Sequence, residues 1–316
     1  MHKIIKKILP FVSIIFAYVI QVCIPDSSAQ KASLHPYFVY FLFLIFVLYA
    51  VFFIISFINE KVDYAVSYHG PLYAGVVLFF NVLNVVTLKF ALLPVLFFPS
   101  LDRIIETLVN DRLFLLKCIF FSLRLLATGF FFGAVIGFAT GVLLGFSKRA
   151  AYWLNPVTKI LGPIPTTAWI PLALSSFPTT FSASVFLIAF TVWFQVTLMT
   201  SSGIQSINNA YFEAARTLGA KPSYQILHIA IPGAMPSVFL GLFNGTCSSF
   251  ITLMTAEMVG TSCGIGWYIN WQKQMMVYSG VYAGLIIIAV MCSLILTLLF
   301  KIRDKVLVWQ KGVIKW

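Results

Sequence analysis

Apolar runs long enough to cross a membrane follow one another along almost the whole chain, and no other feature limits its fold as much. They lie at residues 8–25, 36–58, 71–98, 115–146, 160–176, 182–203, 236–258 and 279–301. A bilayer core needs about 20 residues of helix, and every run is near or above that length except the fifth. Lipid offers backbone groups no hydrogen-bond partners, so each run must satisfy its own as a helix. The expectation is an all-α polytopic membrane protein with about eight transmembrane helices. Composition agrees: 60% of the 316 residues are hydrophobic and only 9% are charged. The fifth run carries Pro163, Pro165 and Pro171, so it is read as a helix broken inside the membrane, which neighbours or water can tolerate.

A net charge of +12 invites a nucleic-acid reading, but the cations are not gathered on one face. They fall between the apolar runs, where lysine and arginine mark the cytoplasmic side of a bilayer. With the N-terminus inside, Lys3, Lys6, Lys7, Lys61, Lys148, Arg149, Lys159, Arg216 and Lys221 are cytoplasmic, together with the basic residues from Lys301 to Lys315. The outer loops keep only Lys31, Arg103, Arg112, Lys117 and Lys273. Both termini are therefore expected in the cytoplasm and the partner is lipid, with no nucleic acid. The first run also resembles a signal peptide, MHKIIKK followed by an apolar segment and Ser27-Ser28-Ala29; an uncleaved span is the reading adopted. Five dispersed cysteines and four dispersed histidines show no metal-ligand spacing, so no metal site and no catalytic residue is assigned.

The fourth run repeats glycine at every fourth position, at Gly129, Gly133, Gly137, Gly141 and Gly145. On a helix this keeps one side almost free of side chains, so another backbone can approach closely. Tight packing is the first reading, and a smooth face that slides during a conformational cycle is the second.

Residues 208–232 are too interrupted to span and too ordered to be a loop. Asn208 and Asn209 can cap a helix holding Glu213, Ala214 and Ala215. Gly219 suits its left-handed end, and Pro222 suits the first turn of a second helix, expected to stop before Pro232. Tyr211, Ala214, Ala215 and Leu218 share one face of the first helix, and Tyr224, Leu227 and Ile231 mark a stripe on the second. Such a hairpin is shaped to enter a groove on a soluble partner.

These residues carry a resemblance. Glu213-Ala214-Ala215, Gly219 four residues later and Ile231-Pro232 resemble the EAA loop of permease subunits of ATP-binding-cassette importers, which in that family docks on a cytoplasmic ATPase. Three other stretches are similar to the taurine, alkanesulfonate and nitrate branch: Ser122-Leu-Arg124 with Gly129, the segment from Pro163 to Leu174, and Ala256-Glu257-Met258 followed by Gly264-Ile-Gly266-Trp267. Where that branch usually reads Trp-Phe-Gly, this chain has Ser176-Phe177-Pro178, so its outer turn is shaped differently.

The resemblance implies a six-helix type I importer permease core at 71–316, with the coupling loop at 208–232, preceded at 1–70 by two extra transmembrane helices. It implies a multi-pass protein of the bacterial inner membrane that is not itself an enzyme. The implied partners are separate ATPase subunits, a solute-binding protein and a second permease copy, or else a related chain. No G-x-x-x-x-G-K-[ST] occurs, so no cofactor is expected here and ATP is left to the partner. The implied coupling residues are Glu213, Ala214, Ala215, Leu218, Gly219, Tyr224 and Pro232. Glu257 is read either as a gate or pathway group with Pro165 and Pro171, or as a carboxylate that reaches the outer interface or caps its own loop. The implied cargo is a small solute such as a sulfonate, taurine, nitrate or another small organic compound. Two readings from other classes stay open: an ion- or proton-coupled secondary carrier, and a membrane scaffold that uses the hairpin to hold another protein.

Overall fold

The computed structural model describes residues 2–30 and 35–309; Lys31, Lys311 and Lys315 lie outside them. Among these residues the regular structure is all helical, and its contacts form two compact units, Met1–Leu113 with Trp271–Ala283 and Phe114–Asn270 with Gly284–Trp316. In the first unit the third helix packs with the first two.

The first unit holds α1 (His2–Cys23), α2 (Tyr37–Ile55), α3 (Glu60–Asn84, prolonged by a π-turn at Val85–Lys89) and α4 (Leu101–Asn110). The third run was expected to start at 71. Its helix starts earlier because the Asn59 side chain accepts from the Lys61 N–H, with Glu60 and Asp63 in the first turn, where acids suit the dipole. α1 and α3 run parallel: Lys7 pairs with Asp63 at one end, and Gln21 bonds Asn81 and Asn84 at the other. α2 runs back beside this pair, with Tyr49 donating to the Lys7 carbonyl.

Lys89 is buried, and it caps α1 by donating to the Gln21 and Ile24 carbonyls at 2.8 and 2.7 Å and pairing with Asp26 at 2.7 Å. Although it stands near the end of a span, its side chain turns inward to these groups and not to headgroups. Asp102 on α4 caps α2 by accepting the Phe38 N–H at 2.8 Å. Burial pushes its carboxyl above the ordinary aspartate range, although that bond and the one from Asn84 oppose the shift.

The second unit holds nearly all of α5 (Arg112–Phe146), then α6 (Lys148–Leu161), α7 (Ile170–Ser176), α8 (Thr180–Gln205), α9 (Asn209–Thr217), α10 (Pro222–Gln225), α11 (Ile231–Gly260), the first part of α12 (Ile265–Gln274) and all but the start of α13 (Tyr278–Val306). The glycine face of α5 lies on α8. A Cβ at 129 would meet Ile188, at 137 Val196, at 141 Thr200 and at 145 Ile204. The two numbers rise together, so α5 and α8 are parallel. Helix α11 packs antiparallel to α8, with Gly203 against Ser237 and Thr191 against Thr252.

This register decides how the fifth run behaves. Among the described residues seven helices are long and apolar enough to cross a membrane, and residues 160–176 are not one of them. They form the end of α6, an irregular stretch, a 3-10 turn at Thr166–Trp169 and the seven-residue α7. Pro163 and Pro165 break the helix, whereas Pro171 sits in the first turn of α7, where its missing N–H costs nothing. Two parallel crossings still require the chain to come back between them. The eighth crossing is thus a broken one.

Large apolar side chains stand exposed all round the long helices, Phe43 at 64% and Ile251 at 66% among them. A water-soluble protein does not carry such a surface, whereas lipid covers it.

Close packing of α5 on α8 predicts a sharp contrast between two glycines. At Gly137 a Cβ would lie 2.9 Å from the Trp193 carbonyl, while at Gly75 nothing stands within 4 Å. Gly137→Val is expected to cost about 3 kcal/mol and Gly75→Ala to be neutral or stabilising by roughly 0.5–1 kcal/mol, read as thermal unfolding in detergent. Equal behaviour of the two variants would contradict the packing.

Candidate coupling hairpin and membrane pathway

The hairpin begins where α8 ends. The Asn208 side chain accepts the Ala210 N–H at 3.0 Å and starts α9. Its far end closes with Gly219 at φ +80°. There the Gly219 N–H reaches the Arg216 carbonyl and the Ala220 N–H reaches that of Ala215, both at 2.9 Å. That double bond pattern is a Schellman stop, and the left-handed residue it requires is most readily glycine. Pro222 then opens α10.

The second helix does not stop before Pro232, as the sequence suggested. Residues 226–230 form a π-turn, in which the Ile231 N–H bonds the Ile226 carbonyl, and α11 follows without a gap. A proline inside a regular helix clashes with the carbonyl four residues back. The extra residue of the π-turn widens the helix there, so Pro232 enters as part of the first turn of α11. Residues 222–260 therefore make one helical rod, and the hairpin is rigidly joined to a membrane span.

Two faces of the hairpin differ. Phe212 points inward at 8% exposure, in a cluster with Val142, Ile204, Ala230 and Ala234, and its ring meets Phe146 edge-on at 6.1 Å. Tyr211, Leu218, Tyr224 and Leu227 point outward, Leu218 at 88% exposure. Glu213 and Ala214 are exposed beside them, and Ala215 is half-buried. Tyr224 stacks on His228 with ring centroids 4.0 Å apart. Pro232 is half-buried in the first turn of α11, as part of the rod.

A second feature lies at the broken segment. A cleft of about 280 Å³ is lined by Pro165, Thr166, Thr167, Thr191, Gln195, Ser248 and Thr252, with Phe190 and Phe194 beside them. The Thr191 hydroxyl sits 3.0 Å from those of Thr166 and Thr252, so three segments bring hydroxyls to one point. The lining holds no charged side chain. Pro165 belongs to this cleft and Pro171 does not.

Glu257 lies elsewhere and is fully buried. Its Oε1 accepts from the Ser122 hydroxyl at 2.7 Å and its Oε2 from the Gly266 N–H at 2.8 Å. With these bonds the carboxylate satisfies the start of α12, where the helix dipole favours negative charge.

Phe212 and the threonine cluster were missed in the sequence. Phe212 could have been found as the large aromatic opposite the Tyr211, Ala214, Leu218 face. Thr191, Gln195 and Thr252 could have been found by weighing neutral polar residues inside apolar spans as well as ionisable ones.

Comparison with known proteins agrees with this architecture. The chain is 33% identical over 186 residues to the putative aliphatic sulfonates transport permease SsuC of Bacillus subtilis, covering 59% of this chain and 67% of that one. It is 34% identical to the nitrate import permease NrtB of Synechocystis, covering 48% and 55%, and 24% identical to the taurine transport permease TauC of Escherichia coli, covering 61% and 70%. The chain thus spans about half to two thirds of the length of these curated relatives. Its fold matches a chain of an inward-facing MetNI methionine ABC transporter with a TM-score of 0.54 at 21% identity, over 62% of this chain and 98% of that one. Residues 129–307 match one family over more than half of the chain. On that match, the chain belongs to the family of binding-protein-dependent transport system inner membrane components, the permeases of ABC importers.

Proposed function

We propose that this permease is driven by a separate ATP-hydrolysing subunit gripping its 208–232 hairpin, and that it carries a small, singly charged or zwitterionic oxyanion. The observation that carries the coupling half is the unbroken rod from Pro222 to Gly260, which has an exposed apolar face at one end and Ser248 and Thr252 of the cleft along its length. A partner that closes on Tyr211, Ala214, Leu218, Tyr224 and Leu227 moves the rod, and the rod moves Ser248 and Thr252. Glu213, Arg216 and Lys221 flank that face and give it a charged rim. Gly219 sets the elbow, and Ala215 keeps the helix close to the rod.

The hairpin lies in the cytoplasm, on the side to which the positive-inside distribution assigns it, and both termini lie there too. ATP is held by the partner. A second copy of this chain completes the pathway, and a solute-binding protein delivers cargo at the opposite face, as in the family at large. Alternating access is then a switch between two arrangements, biased by nucleotide through the hairpin.

Aliphatic sulfonates, nitrate and taurine, the solutes named for the relatives, are small oxyanions or zwitterions. The cleft suits them. Hydroxyl and amide donors can hold an oxyanion briefly, whereas a lysine or arginine would hold it too tightly for release, since conduction needs sites weak enough to leave.

Docking is tested by Leu218→Asp in the full chain, co-expressed with its ATPase subunit. Loss of a central apolar anchor costs about 2 kcal/mol or more, roughly a 30-fold weaker hold, so the ATPase is expected to be lost on purification while the thermal unfolding of the permease is unchanged. Full retention would contradict the docking face. The cleft is tested by Thr191→Val with Gln195→Leu in reconstituted complex offered nitrate, taurine and methanesulfonate. The expected result is uptake lowered about tenfold, as when a pathway loses donors worth about 1.4 kcal/mol, with basal ATPase activity kept; unchanged uptake would move the pathway elsewhere.

A further inference from the structure

At the end of the second unit opposite the hairpin, two sulfurs lie side by side. Cys118 Sγ on α5 is 3.9 Å from Cys263 Sγ in the turn between α11 and α12. Cys118 is fully buried and Cys263 is partly exposed. Their separation is held by hydrogen bonds close to the pair. One helical turn beyond Cys118, the Ser122 hydroxyl donates to Glu257 and accepts the Ile265 N–H at 2.9 Å. Within the turn, Thr261 Oγ1 bonds the Cys263 carbonyl at 2.8 Å. The next residue, Gly264, has φ +128°, and a Cβ there would come within 2.5 Å of Glu257 Oε1. The segment bearing Cys263 is therefore pinned against the segment bearing Cys118.

We propose that Cys118 and Cys263 form a redox site, a dithiol that is oxidised to an intrachain disulfide by exchange with an external disulfide. A disulfide needs its sulfurs about 2.05 Å apart, so the pair has to close by roughly 2 Å, within reach of a side-chain rotation of Cys263 in its non-helical turn. The exposed Cys263 thiolate attacks the external disulfide, forms a mixed disulfide and releases one thiol. The Cys118 thiolate then displaces the second thiol from Cys263. The two protons lost by the protein go to the two released thiols, the protein pair is oxidised, and the external disulfide is reduced. The product staples α5 to the turn that leads into α12. The setting rests on the orientation proposed above, which puts this end on the extracytoplasmic side, where disulfides persist. The chemistry itself does not depend on that orientation or on transport.

The test uses the full chain in detergent, treated with oxidised glutathione, quenched and unfolded with N-ethylmaleimide, and weighed intact and as non-reduced peptides. The expected result is two fewer maleimide adducts, a linked peptide pair containing Cys118 and Cys263, and full reversal by dithiothreitol. In Cys118→Ser the same treatment leaves a stable glutathione adduct on Cys263. Cys263→Ser changes only the turn, so it serves if the buried substitution fails to fold, and it is expected to keep Cys118 alkylated. A lasting glutathione adduct on Cys263 in the unaltered chain, or maleimide on both cysteines after oxidation, would overturn the proposal.

Discussion

The parallel contact between α5 and α8 is the constraint on which the rest of the second unit depends. Glycine at every fourth position strips one side of α5, and the Val192, Val196, Thr200 and Ile204 side of α8 fits against it. Backbones this close gain dispersion and lose little side-chain entropy, which is what drives association where lipid removes the hydrophobic effect between helices. Since both helices then run the same way, the chain between them must cross back. That crossing cannot be a uniform helix, because Pro163 and Pro165 interrupt it, and the interruption is what opens the hydroxyl-lined cleft beside Thr191.

The same helix α8 sets the other half of the arrangement. Its antiparallel contact with α11 brings the two ends joined by the hairpin together, and Phe212 docks that hairpin on Val142 and Ile204. The π-turn at Ile226–Ala230 matters more than its length suggests. A loop before Pro232 would let the hairpin swing without moving the membrane; a continuous helix makes the hairpin one end of a lever whose other part lines the cleft.

Much of this was legible in the sequence. Apolar runs gave the crossings, glycine spacing gave a close-packing face, and the Asn208 cap with Gly219 and Pro222 gave a short helical pair. What escaped were features set by a partner element. Sequence treats Pro163, Pro171 and Pro232 alike, but their effects depend on position in a turn: the first breaks a helix, the second starts one, and the third is absorbed by a π-turn. Lys89 near a span end reads as a headgroup anchor because the carbonyls it caps belong to α1, over sixty residues away. Glu257 left two readings open because Ser122, which holds it, is 135 residues distant.

The most direct test of this account is disulfide trapping between α5 and α8 in a chain whose five native cysteines are replaced by serine. Thr140 and Thr197 meet near one end, with hydroxyls 2.7 Å apart, and Phe121 and Phe181 meet near the other, with rings 6.2 Å apart. Under mild oxidation, Thr140→Cys with Thr197→Cys and Phe121→Cys with Phe181→Cys are each predicted to cross-link, while the exchanged pairs, 140 with 181 and 121 with 197, stay reduced. Cross-linking of the exchanged pairs would make the helices antiparallel, and with that the broken crossing and its cleft would be lost.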